Sequence, residues 1–174
     1  MKKIYITGVS GTGKSTVSEE LSRRGYFSIS IDETEGLCSW IDKKSGENHG
    51  GKEALMTEEF VDMHDWVCDV DHLEKLFNQN NTEVVFVLGM ATNQKEFVHI
   101  FDKIILLTCD PKVFCKRIMS RTDNNFGKDK DVQHQVINRS KTYLEEMLGI
   151  GAEVIDTDKL VTQVVDEVIK ISAI

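Results

Sequence analysis

Five short apolar runs punctuate the chain, and the stretches between them carry helical spacing. Lys3–Thr7 reads as a buried strand that runs into a glycine-rich turn. A helix follows, with Val17 and Leu21 on its inner side, as far as Arg24, and Gly25 stops it. Tyr26–Ile31 is the second strand and closes on Asp32. Val84–Leu88 and Lys103–Thr108 are two more, rich in Val, Ile and Leu as strands covered on both faces are, and Ala152–Asp156 is a weaker fifth. Asp110-Pro111 marks a helix start, because Asp caps the first turn and Pro suits its first position. That helix is expected to run to about Arg121, a second over Asp131–Leu148 before Gly149 and Gly151, and a last from about Asp158 to Ile171. Strands alternating with helices predict an α/β sheet wound on both faces.

The 174 residues suit one domain, and no repeat or linker divides them. Residues of about 33–80 are expected to form a helical insertion. Gly46–Gly51 and Asp123–Lys130 are the expected mobile loops.

The turn after the first strand carries the chemistry. Gly8-Val-Ser10-Gly11-Thr12-Gly13-Lys14-Ser15-Thr16 satisfies G-x-x-x-x-G-K-[ST] in full. Glycines let main-chain N–H groups converge on phosphate oxygens, and the following helix adds the positive end of its dipole. Lys14 is placed to reach the β- and γ-phosphates, and the Ser15 hydroxyl to take a magnesium position. ATP and Mg2+ are the expected ligands, and the motif sits between a strand and a helix as that mechanism requires.

Charge narrows the partners. The 29 acidic against 21 basic residues give a net charge of −8, which repels a polyanion, so nucleic acid is not an expected partner. Cys38, Cys68, Cys109 and Cys115 lack close C-x-x-C spacing and read as small buried hydrophobes of a reducing compartment. The apolar run after Met1-Lys2-Lys3 is too short for a signal peptide, and no stretch approaches the ~20 apolar residues of a membrane span. The expectation is a cytoplasmic monomer or homodimer with no membrane partner.

With this loop so near the amino end of a short chain, the sequence resembles the small P-loop kinases, the group of adenylate, shikimate and gluconate kinases and their nucleoside and nucleotide relatives. The resemblance implies a P-loop NTPase three-layer α/β sandwich: five parallel strands in the order 2-3-1-4-5, helices on both faces, and a short lid at about residues 121–131. It also implies a small-molecule kinase, in which the γ-phosphoryl group passes to a nucleoside, nucleotide or sugar-like acceptor. Arg117 and Arg121, four apart on one helix face, match the pair that opens the lid, the first stacking on adenine and the second meeting phosphate. Arg139 matches the transition-state arginine of the helix after the lid. Asp32 matches the carboxylate that contacts the acceptor hydroxyl or magnesium, and the strand ending at Leu88 offers no rival aspartate. Asp156 and Thr157 fall where the group packs its adenine loop.

The acceptor region departs from the nucleotide-kinase pattern. No arginine lies between Arg24 and Arg117, and residues 32–79 carry 13 acidic side chains against four lysines. Anionic acceptors are gripped by arginine forks, so the balance favours a neutral, hydroxyl-bearing acceptor. Trp40, Trp66 and Phe60 suit stacking on a ring, or a local core. His49 suits ordering by a ligand, or plain solvation. His64, Asp65, Asp69 and His72 have helix-like spacing compatible with a metal, and Asn93 and Gln94 suit a base edge or a helix start. Two rivals share the loop: an ATPase or switch acting through a protein partner, and a kinase of nucleic-acid ends, which the acidic balance disfavours.

Overall fold

In the computed structural model, which describes residues 1–51, 58–120 and 130–173, the five apolar runs form one parallel sheet. Its strands are β1 (Lys2–Thr7), β2 (Phe27–Ser30), β5 (Val84–Leu88), β6 (Lys103–Thr108) and β7 (Glu153–Asp156), ordered β2-β5-β1-β6-β7. Counted within this sheet alone, that is the expected 2-3-1-4-5. β1 lies at the centre, pairing Ile4 with Phe86 on one side and Ile6 with Ile105 on the other.

Alternation along the strands divides the core. Ile4, Ile6, Phe86, Leu88, Ile105 and Leu107 face α1 (Lys14–Arg23) and α7 (Val161–Ser172), meeting Val17, Leu21, Val164, Val165 and Val168. Tyr5, Val85 and Val87 face the opposite way, against Leu73 and Phe77 of α3 (Val70–Asn78) and Phe97 of α4 (Gln94–Phe97). Beside them Leu106 meets Phe114 and Ile118 of α5 (Pro111–Ser120) and Tyr143 and Met147 of α6 (Lys130–Gly149). Both faces are covered, which explains why the strands read as unbroken apolar runs. Asp110 caps α5 as expected, its Oδ1 accepting Lys112 N at 2.7 Å.

The insertion differs from its helical expectation. It holds α2 (Glu58–Met63) and α3, and also an antiparallel ribbon of β3 (Cys38–Asp42) and β4 (His64–Cys68), with Trp40 opposite Trp66. The ribbon is stitched to the loop after β5. Trp66 N donates to Thr92 Oγ1 and Thr92 N to Trp66 O, while the Asn93 amide bonds both ways to the Cys68 main chain. Gly46–Gly51, expected as a mobile loop, runs along β3, where Trp40 N donates to Gly50 O and His49 N to Trp40 O. The expected lid at about 121–131, Arg121 and the loop Asp123–Lys130 lie outside the described residues, except that α6 begins at Lys130. Among the described residues no helix is long and apolar enough to cross a membrane.

The far end of α1 is fastened by Glu20. Its carboxylate accepts Arg23 and Arg24, and Arg24 reaches on to Asp166 of α7 at 2.6 Å. Hydrogen bonds from Arg23 and then Arg24 lower its pKa from 4.5 to about 2. The folded value lies below the unfolded one, so the stability it lends is complete above about pH 4.5 and lost as pH falls toward 2. Glu20→Gln should therefore flatten the fall of the urea midpoint within that acid window. Its effect should not vary between pH 6 and 8, as denaturation series at stepped pH will show.

Candidate active site

Chain order brings the carboxyl ends of β1, β2 and β5 to one edge of the sheet, where an open α/β fold leaves a crevice. The turn from β1 into α1 occupies it. Gly11 has φ +87°, and a Cβ there would lie 2.8 Å from the Phe114 ring. At Gly8 a Cβ would lie 2.6 Å from Leu107 O. β6 and α5 thus press the loop into shape, and only glycine fits. Thr12 is buried and ties the loop to itself through Oγ1 to Val9 O, 2.8 Å. Lys14 Nζ donates to Gly8 O at 2.6 Å and Val9 O at 3.2 Å, so the ammonium bridges the loop's outward carbonyls.

A cavity of about 1030 Å³ opens over this loop. Ser10, Gly11, Gly13, Lys14, Ser15 and Thr16 line it, and so do Asp32, Arg117, Arg139 and Thr157. Three of the residues expected in the site do not line the cavity, and Thr12, buried within the loop, is the first of them. Gly8 lies buried beneath the loop. Asp156 points its carboxylate at Asp158 N, 2.8 Å away, and caps the turn instead of facing the cavity.

Arg117 is held rather than mobile: Nη1 donates to Thr157 Oγ1 at 2.8 Å and Nη2 to Thr157 O at 2.6 Å. Thr157 is itself buried and bonded to Thr108 O at the end of β6. The guanidinium edges are occupied, which leaves its planar faces for stacking. Arg139 comes from α6, whose anchor is Tyr143 one turn on. The Tyr143 hydroxyl lies 2.6 Å from Thr7 Oγ1, the last residue of β1, and donates to Gln94 Oε1 at 2.6 Å. Burial raises the Tyr143 and Tyr5 phenols above their ordinary range, so both remain protonated donors. Sequence reading missed this network. Gln94 is buried and spent on the two tyrosines, and Asn93 on Cys68, so neither offers a base edge.

Across the cavity, Trp66 Nε1 donates to Asp32 Oδ1 at 3.0 Å, a contact 34 residues apart that no local pattern announces. Trp40, Trp66, His64, Asp65, Lys43 and Met90 complete that half of the lining. Phe60 stands behind, edge-on to Trp40 at 5.6 Å and stacked on His64 at 3.9 Å. The metal cluster considered at His64, Asp65, Asp69 and His72 does not form. His64 and Asp65 are on a strand and face opposite ways, Asp69 caps α3 at His72 N, and no set of three ligating side chains converges among the described residues. Lys159 and Leu160 also line the cavity and were not foreseen. Cys38 and Cys68 are buried, and their mutual hydrogen bond followed by desolvation drives the Cys38 thiol far up, so it is inert.

The family model described as AAA domain matches residues 4–138. A shikimate kinase of Bacillus cereus (strain AH187) is 26% identical over 174 residues, covering 96% of each chain. Among solved structures, the chain is similar to a shikimate kinase from Bacteroides thetaiotaomicron, with TM-score 0.62, 18% identity and 99% of both chains covered. A deoxyadenosine kinase from M.mycoides with bound dATP superposes with TM-score 0.55 and 16% identity over 97% of each chain. These two share the fold.

The Tyr143 anchor yields a direct expectation. Tyr143→Phe removes the hydroxyl that Thr7 Oγ1 and Gln94 Oε1 share, leaves Gln94 only the longer bond from Tyr5 at 3.4 Å, and should cost about 1–3 kcal/mol in urea unfolding. The double variant with Gln94→Leu should cost less than the sum of the two changes.

Proposed function

The chain belongs to the AAA domain family and is a small P-loop kinase, and from that premise we propose that it moves the γ-phosphoryl group of ATP, with magnesium, to the hydroxyl of an uncharged small metabolite. What supports the reading is one cavity lined by the glycine loop, Lys14, Asp32, Arg117 and Arg139 together.

The residues suit both ligands. Main-chain amides of the loop and Lys14 would hold the β- and γ-phosphates, and the faces of Arg117 would take the adenine. Ser15 and Asp32 offer the hydroxyl and carboxylate oxygens that magnesium prefers. Magnesium, when bound, offsets charge on the phosphoryl oxygens. Charge spreads over those oxygens in the transition state, and Lys14 and Arg139 are the cations that would meet it. Asp32, fixed on one oxygen by Trp66, would accept the acceptor's proton or orient its hydroxyl through the other. Arg121 is proposed as a further phosphate contact. The lining carries the cations Lys14, Lys43, Arg117, Arg139 and Lys159 and the carboxylates Asp32, Glu33 and Asp65, and Lys43 lies 3.9 Å from Asp65 beside the ribbon. Lys14 and the two arginines suit a triphosphate, and the ribbon wall suits an uncharged acceptor.

Lys14→Ala should lower transfer of labelled phosphate from ATP by about 10²–10³-fold or more with an unchanged melting curve. Asp32→Asn should lower kcat about 10²–10⁴-fold with the KM for ATP little changed. An assay of ADP release over a panel of nucleosides, polyols and nucleotides measures both. Normal turnover by Lys14→Ala would remove the mechanism.

A further inference from the structure

The kinase reading leaves its acceptor open, and the inner face of the ribbon narrows it. Resting on that reading, we propose that this face binds an uncharged planar nitrogen heterocycle carrying a hydroxyl arm, as a nucleoside does, in preference to an anionic polyol.

Register puts three cross-strand pairs on one face: Cys38 with Cys68, Trp40 with Trp66, and Asp42 with His64. The main chains of Trp66 and Cys68 turn away to Thr92 and Asn93, so these are the pairs that exchange no hydrogen bonds and whose side chains approach most closely. The first pair is buried in the core, and Trp40, Trp66 and His64 continue the face into the cavity wall. The two indoles, with centroids 5.1 Å apart and planes inclined at 47°, form an angled apolar platform. Trp66 is bonded to Asp32, so the platform and the proposed base form one rigid unit. A ring seated there keeps its hydroxyl arm in the carboxylate's corner.

Charge selects against anions. Asp32, Glu33 and Asp65 line this half, and Lys43 is already engaged, donating to Asp62 O at 2.7 Å and lying 3.9 Å from Asp65. No arginine stands between Arg24 and Arg117 to grip a carboxylate or phosphate.

One ring nitrogen of the same wall is left over. Trp40 Nε1 is buried with no hydrogen-bond partner among the described residues, whereas His64 is engaged on both sides: its Nδ1 donates to the Phe60 carbonyl at 2.7 Å and its Nε2 faces Asp42 Oδ2 at 3.8 Å. The wall therefore holds one unused donor, which a ring nitrogen or ring carbonyl satisfies while the indoles cover the ring.

The protein's only tryptophans are Trp40 and Trp66, so intrinsic fluorescence reports this wall alone. The test titrates the full chain, with magnesium and a saturating non-hydrolysable ATP analogue, with four nucleosides, AMP, shikimate, gluconate and choline. The expected result is saturable quenching by at least one nucleoside, and about tenfold weaker binding of it by Trp40→Phe, which keeps a ring but loses the donor. Trp66→Leu, which removes the other ring of the wall, should weaken it likewise and serves where Trp40→Phe does not fold. Saturation by shikimate, gluconate, choline or AMP with none by a nucleoside overturns the inference, while a melting shift from the analogue keeps the kinase reading intact. Absence of that shift overturns both.

Discussion

The turn where β1 gives way to α1 is shaped from outside, by contact, before any ligand arrives. Leu107 O and the Phe114 ring stand where side chains at Gly8 and Gly11 would have to go, and Lys14 bridges the carbonyls the turn exposes. With its carbonyls facing their own lysine, the loop leaves its amides for phosphate oxygens. The fold places this turn at the central strand of the sheet, so every other contribution can reach it from a neighbouring strand end.

The contributions come from two sides and are held differently. One side is fixed by buried polar contacts: Thr157 clamps Arg117, and Tyr143 pins α6 to Thr7 at the foot of the loop. The other is fixed by a ribbon sewn to the loop after β5 and joined to Asp32 by an indole N–H.

The main sheet was legible because each strand is buried on both faces and therefore reads as an apolar run. The loop was legible because its chemistry needs fixed residues at fixed spacing. The ribbon was not. Its strands are short, and the spacing of His64, Asp65, Asp69 and His72 imitates a helix although the first two are neighbours on a strand and the last two belong to a capped helical turn. The partners of Gln94 are Tyr5 and Tyr143, 89 and 49 residues away, so its burial could not be inferred from local pattern. Asp32 was singled out by its place at a strand end and Trp66 as a ring, but the bond that joins them across 34 residues is visible only in three dimensions.

Whether the glycine loop grips a triphosphate is read by isothermal titration of the purified chain with a non-hydrolysable ATP analogue and magnesium. Saturable one-to-one binding is expected, vanishing when Gly11 is replaced by Val, because the loop can no longer close beneath Phe114. Undiminished affinity in that variant, or no saturable heat from the unaltered protein at millimolar nucleotide, would contradict it.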